Sequence, residues 1–160
     1  MAPALKSKTP WREKLERPEE PKIVPVPPKM ARFGKGKMLI PTPKLVDEIV
    51  SKVPKGKLVR VGEIRKKLAH DHAADVTCPL TTGIFVRIVP EAANEAFLNG
   101  AKRVTPYWRV VRDNGELNPK FPGGVEQQSR NLRAEGFSIV RNGKKPPIVK
   151  DFAQRLVNLK

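Results

Sequence analysis

Seven of the chain's 17 prolines fall within its first 30 residues: Pro3, Pro10, Pro18, Pro21, Pro25, Pro27 and Pro28. Each removes a backbone donor and restricts the residue before it, so neither a helix nor a central strand can propagate there. The stretch Pro21-Lys-Ile-Val-Pro-Val-Pro-Pro reads as an extended, polyproline-like linker. The expected organisation is therefore a disordered, basic, Pro-rich tail over residues 1–37 and one folded domain over residues 38–160. A length of 160 residues leaves room for one core, not two. A chain lacking residues 1–36 is expected to keep its fold.

Charge narrows the choice of partner. The formal net charge is +16. It is not confined to the tail: residues 1–40 carry ten Lys and Arg against four Glu, and the remainder carries 22 basic against 12 acidic residues. Such a balance points to a polyanion, nucleic acid before an anionic membrane surface. Arg32-Phe-Gly-Lys-Gly-Lys is a basic, glycine-broken arm, either solvated linker or phosphate contact. No long uncharged apolar run would span a bilayer, and no secretory signal is expected. Cys78 is the single cysteine, so an internal disulfide is impossible and a reducing compartment fits.

Periodicity gives a mainly α chain with a small β element. Leu45, Val46, Ile49, Val50 and Val53 recur at helical spacing behind a Thr42 cap and Pro43 in the first turn. Leu58–Val61 is a short extended piece, Gly62–Ala69 a second helix and Thr77–Val89 a third. A fourth helix, from Pro90 to Leu98, stops at Asn99-Gly100, with Pro90 either breaking or kinking the join. Arg109–Arg112 is β-like and runs into the turn Asp113-Asn-Gly. Val125–Glu135 is helical, residues 137–149 read as a hairpin around Asn142-Gly143, and Asp151–Leu159 as a short amphipathic helix. This order suggests a winged helix-turn-helix. A helix fits a B-form groove while cations on flanking loops fix its register.

Several segments, in order, resemble the DNA-binding domain of alkylguanine-DNA alkyltransferases (methylated-DNA–protein-cysteine methyltransferases). Val53-Pro-Lys-Gly-Lys-Leu-Val-Arg-Val-Gly-Glu-Ile resembles its entry. Pro106-Tyr-Trp-Arg-Val-Val-Arg-Asp-Asn-Gly resembles the active-site segment Pro-Cys-His-Arg-Val-Val. Phe121-Pro-Gly-Gly-Val-Glu and Leu132-Arg-Ala-Glu-Gly resemble the Tyr-x-Gly-Gly loop and the end of the next helix. The match covers roughly residues 43–137. At the acceptor-cysteine position stands Tyr107, and at the histidine position Trp108. Alkyl transfer needs a thiolate and a base to take its proton; a phenol with a pKa of about 10 and an indole supply neither. Only Glu135 of the relay remains. The resemblance thus implies the cysteine-free alkyltransferase-like branch, which binds alkylated DNA without reacting, although those relatives commonly keep the histidine.

The resemblance also assigns a degenerate pocket of Tyr107, Trp108, Arg109, Phe121, Asn99 and Glu135. Asn99 matches an asparagine bracing the active-site turn or is simply a helix cap. Tyr107, Trp108 and Phe121 either receive an extruded base or plug the space it would fill. Leu80 stands where the family places an arginine finger, as a wedge or as core, and Val61 replaces a tyrosine. Candidate DNA contacts are Lys55, Lys57, Arg60, Arg65, Leu80, Thr81, Thr82, Arg87, Arg112, Gly123 and Gly124. The expected function is non-catalytic binding of double-stranded DNA, linked to repair or alkylation-damage recognition, with repair proteins as further partners, no cofactor and no metal. The expected location is cytoplasmic, with the nucleoid. Two alternatives stand beside it: an architectural or regulatory binder without lesion specificity, and an enzyme using Cys78 as nucleophile. His70, Asp71, His72 and Asp75 lie near Cys78, but His-x-His with one cysteine is no standard zinc spacing.

Overall fold

The computed structural model describes residues 2–3 and 5–159. The proline-dense beginning is ordered within it, which corrects the expectation of a disordered tail. Helix α1 (Trp11–Glu16) starts directly after Pro10, strand β1 is Lys22–Pro25, and Pro28–Phe33 forms a 3-10 turn. β1 pairs antiparallel with β2 (Lys37–Ile40), Lys22 opposite Ile40 and Pro25 opposite Lys37. The prolines are tolerated because β1 is an edge strand, where a missing donor costs no ladder bond. On the other side β2 pairs in parallel with β4 (Val76–Thr77). Met30, Met38 and Cys78 pack under this small sheet.

Helix α2 (Pro43–Ser51) begins as its sequence signals: Thr42 accepts from the Leu45 N–H at 3.3 Å, and Pro43 occupies the first turn. Strand β3 (Val59–Arg60) leads straight into α3 (Val61–Asp71). Helix α4 is one continuous element, Pro79–Leu98, running through Pro90 rather than breaking there. Its second half explains the ordered beginning of the chain. Val89 to Asn94 are six consecutive buried residues, so this stretch needs cover on all sides. α2 supplies one side and α1 another.

Strand β5 (Val110–Val111) pairs in parallel with β3, Val59 opposite Val110, and so docks the segment after Pro106 onto the corner between α2 and α3. Helix α5 (Gly124–Ala134) follows the Gly-Gly loop, and strands β6 (Ile139–Asn142) and β7 (Lys145–Val149) close an antiparallel hairpin at Gly143-Lys144. The C-terminal amphipathic helix is not formed. Phe152–Arg155 is a single 3-10 turn, after which the chain extends: the Leu58 N–H donates to Arg155 O and the Val157 N–H donates back to Leu58 O, both at 2.8 Å. Backbone pairing with Leu58 thus replaces helical bonds. Among the described residues no helix is long and apolar enough to cross a membrane.

The burial of Trp11 and Met30 overturns the expectation that residues 1–36 are dispensable. Trp11→Ala is predicted to cost about 3 kcal/mol as a buried Trp truncation. That corresponds to a fall of roughly 6–12 °C in Tm for a chain of this size, read by thermal melting. A chain lacking residues 1–36 should melt lower still.

Candidate nucleic-acid interface and sealed pocket

Residues 107–109 form a 3-10 turn between Pro106 and β5, which separates Tyr107 from Trp108 and Arg109. Tyr107 turns inward and is 2% exposed. Its ring meets Trp108 at 5.4 Å between centroids and Phe121 at 5.6 Å, both edge to face. The three aromatic rings therefore plug the space between them. Burial, and secondarily the charge of Glu91, push the Tyr107 phenol up to about 12. A phenol held there is no nucleophile near neutral pH.

Trp108 and Arg109 both turn to Glu135, at the end of α5. Trp108 Nε1 donates to Glu135 Oε2 at 2.9 Å. Arg109 grips the same carboxylate with two nitrogens, Nε to Oε1 at 2.9 Å and Nη2 to Oε2 at 2.8 Å. Its third nitrogen donates to Val53 O at 2.6 Å, at the end of α2. Burial pushes the Glu135 carboxyl up, but hydrogen bonds from Arg109, Trp108 and the backbone of Gly56, with the charge of Arg109, outweigh it and hold the group below the ordinary range. The carboxylate that a relay would use is thus committed to an indole and a guanidinium. Arg109 thus has a structural hydrogen-bonding role.

Gln128, fully buried on α5, was not visible as a site residue. It donates to Trp108 O at 3.2 Å and to Val110 O at 2.9 Å, and accepts from the Asn118 N–H at 2.9 Å. A glutamine in a polar-looking helix carries no local signal of burial. Glu91 and Asn94 were missed for the same reason; both are buried on α4. Asn99 belongs elsewhere than the pocket. It is exposed at the end of α4, its N–H bonded to Glu95 O and Ala96 O, so its role is that of a helix cap.

The candidate DNA contacts divide. Leu80 is 64% exposed and Ile84, one turn on, is 59% exposed. With Gly83 and Arg87 they form one outward stripe on the first half of α4, so Leu80 is not core. Thr82 is corrected: it is fully buried, and its hydroxyl donates to Cys78 O at 2.7 Å. Thr81 is half-buried and donates to Cys78 Sγ at 2.9 Å. Arg60 and Arg65 line one cleft, and Arg112 lines a second with Val61 and Gly83 of α4; Asp113 borders both. Arg60 pairs with Glu63 at 2.8 Å, and Arg112 lies 3.5 Å from Glu116. Lys55 and Lys57 are exposed on the turn before β3, outside these clefts. Gly123 and Gly124 hold positive φ, +75° and +65°, and a Cβ on Gly123 would meet the Gln127 Cβ at 2.6 Å. Their demonstrable part is to start α5. Exposed Arg141, Lys144 and Lys145 on the hairpin were not picked out in advance, although their clustering about Asn142-Gly143 was a readable signal.

Cys78 is buried against Met30 and Met38 and accepts a hydrogen bond, which leaves no open approach for a substrate carbon and argues against the nucleophile alternative. His72 Nδ1 lies 2.9 Å from Leu68 O, and His70 is exposed. Among the described residues no three His, Cys, Asp or Glu side chains come together as a metal site would need.

No family model matches the chain, and no curated protein matches it. Solved structures do. S. pombe Atl1, in complex with damaged DNA containing O6-carboxymethylguanine, superposes with a TM-score of 0.51 at 17% identity, covering 72% of this chain and 94% of that one. S. pombe ATL in complex with DNA gives 0.46 at 16% identity over the same shares. The first likeness is one of fold, and it agrees with the fold that the sequence resemblance implied.

The clamp on Glu135 sets a pH dependence. A carboxyl whose folded pKa is depressed contributes stability that is complete above the ordinary glutamate value of about 4.3 and is lost as pH falls through the folded value. Burial holds Asp47 and Glu91 above their ordinary values, so their contributions run the other way, easing as pH falls. Glu135→Gln, which leaves Arg109 uncompensated, should cost about 3 kcal/mol at pH 7. In melting curves taken at successive pH values, the gap between the two proteins should close only as the pH falls below the ordinary glutamate range.

Proposed function

We propose that this chain is a non-catalytic protein that binds double-stranded DNA, of the alkyltransferase-like type and linked to recognition of alkylation damage. One observation carries the reading. The scaffold around the acceptor position is kept, with Arg109 clamped on Glu135, while that position itself is sealed by Tyr107 and its neighbour Trp108 donates where a base would have to accept. A chain of net charge +16 that leaves a stripe of α4 open beside arginine-lined clefts supports DNA as the partner. The fold likeness to a protein held on damaged DNA supports the same choice.

In this reading the stripe Leu80, Gly83, Ile84 and Arg87 faces the groove, and the β6–β7 hairpin is the wing, with Arg141, Lys144 and Lys145 on phosphates. Leu80 and Ile84 offer no hydrogen bonds, so their contribution is shape and partial unstacking of a base step. A second reading, binding without lesion preference, is favoured by the depth of Tyr107, because a plugged pocket admits no base.

Binding to duplexes with and without one O6-methylguanine, measured by fluorescence anisotropy across salt concentrations, tests the function. With about five phosphates neutralised, log K should fall against log salt with a slope of about −4.5. A tighter Kd for the methylated duplex upholds damage recognition, equal values uphold the second reading, and a salt-independent affinity overturns both. Mass spectrometry after incubation should find the chain unalkylated. Restoring transfer should need Tyr107→Cys together with Trp108→His, since a lone cysteine would lack its base. Transfer by Tyr107→Cys alone would contradict the role assigned to position 108.

A further inference from the structure

The basic arm Arg32-Phe-Gly-Lys-Gly-Lys, which the sequence leaves as either linker or phosphate contact, is held against the body of the protein. The Lys37 N–H donates to Asp75 Oδ2 at 2.8 Å, and the Asp75 N–H donates back to Lys37 O at 2.9 Å. Two glycines permit the approach. Gly34 and Gly36 hold positive φ, +137° and +95°; a Cβ on Gly34 would meet Val76 Cγ1 at 2.5 Å, and one on Gly36 would strike the Asp75 carboxylate. Placed in this way, Phe33 lines the cleft of about 430 Å³ that also holds Arg60 and Arg65. The charges lining that cleft cancel, Arg60, Arg65 and Lys66 against Glu63, Asp75 and Asp113. The arm adds Arg32, Lys35 and Lys37, all exposed, and no acid. Arg32 lies over the Phe33 ring, 4.7 Å from its centroid, an attraction that holds the guanidinium beside the cleft. Arg65 comes no nearer to Asp113 than 3.8 Å, too far for a hydrogen bond, and its Nε is buried with no partner among the described residues. The cleft thus keeps unused donor capacity, and the arm sets its sign.

We propose that this arm is a second DNA-contacting element, which turns an otherwise neutral cleft into a seat for backbone phosphates of the duplex lying on the α4 stripe. Position argues for that occupant. Thr77 lines the cleft and is followed by Cys78, Pro79 and Leu80, so the cleft adjoins the start of the helix whose outer stripe is open. Asp113 joins it to the second cleft, which Gly83 of the stripe lines. Duplex DNA carries one charge per about 1.7 Å of its axis, so a strand passing the start of α4 presents several phosphates to the arm. Arg32 and Lys35 grip that backbone and fix the register of the duplex, and base edges are left to α4. The arm lies outside residues 43–137, which carry the family resemblance, so the contact belongs to this chain's own N-terminal elements. The proposal rests on DNA binding as proposed above and extends its footprint.

The test uses the full chain and one duplex, unmodified or carrying a single O6-methylguanine. Arg32→Ala combined with Lys35→Ala is compared with Lys102→Ala combined with Arg103→Ala, which removes the same two charges from exposed positions after α4. Log K is followed against log salt by fluorescence anisotropy. The arm variant should give a slope less steep than the parent's by about 1.8, two phosphates at about 0.9 each, and the control should change by less than half of that. The loss should be the same fold for both duplexes, because phosphate contacts carry no base information. In an NMR titration of the parent, the amide signals of Phe33, Gly34 and Lys35 should move on adding duplex, and those of Lys102 and Arg103 should not. Should either double variant melt well below the parent, Lys35→Gln against Lys102→Gln gives the same comparison, with a slope change of about 0.9. If the parent binds duplex but the arm and control variants change its slope equally, or the arm amides stay still, the arm is overturned while the function stands. A loss confined to the methylated duplex also overturns it, since phosphates do not report the lesion. If the parent binds no duplex, both proposals fall.

Discussion

Glu135 is the point on which the described fold turns. One carboxylate at the end of α5 holds the Trp108 indole, two nitrogens of Arg109 and the backbone of Gly56, while the third nitrogen of Arg109 reaches Val53 O. The end of α5, the 107–109 turn, the end of α2 and the turn before β3 are therefore joined through two side chains. The β3–β5 pairing and the hydrogen bonds of Gln128 to Trp108 O and Val110 O lie beside this junction and depend on the same placement. A buried ion pair earns little net stability against an apolar alternative, but it fixes one arrangement, since breaking it strands a charge. What it fixes here is Tyr107: with residues 108 and 109 tied outward to Glu135, residue 107 has only the interior to enter.

The same economy shapes the electrostatics. Acids are outnumbered two to one, and many of them do internal work. Asp113 takes the Gly62 N–H, Asp75 the Lys37 N–H, Glu95 the start of α1 and Asp47 the Thr105 hydroxyl. Others pair with cations: Glu63 with Arg60, Glu116 with Arg112, and Asp113 also with Arg65.

Local signals were reliable where the physics is local. Thr42-Pro43 starts α2, Asn142-Gly143 marks the turn of the hairpin, and the positive φ at Gly123 is what the Gly-Gly loop required. They failed where burial decides. The prolines of residues 21–28 were compatible with an edge strand as well as with a linker, and only the pairing with β2 decides between them. Thr82 and Gln128 look like surface residues in sequence and are fully buried. Leu80 looks like core and is open. Asn99 has the spacing of a pocket residue but sits at an exposed helix end.

By itself, the sequence determined a net charge that no folding can cancel, on which the proposal of a polyanionic partner rests, and it placed a phenol and an indole where the family resemblance would put a thiol and an imidazole. It also determined the starts and stops of several elements, since capping and turn formation involve residues a few positions apart. Tertiary structure alone decided that Trp11 and Met30 are part of the body, that Tyr107 is turned inward, that Cys78 is enclosed, and that Glu91 and Asn94 are buried on α4. Burial is the reason for the division: it depends on what arrives from elsewhere in the chain, and a residue's own neighbours in sequence do not record which of its faces will be covered.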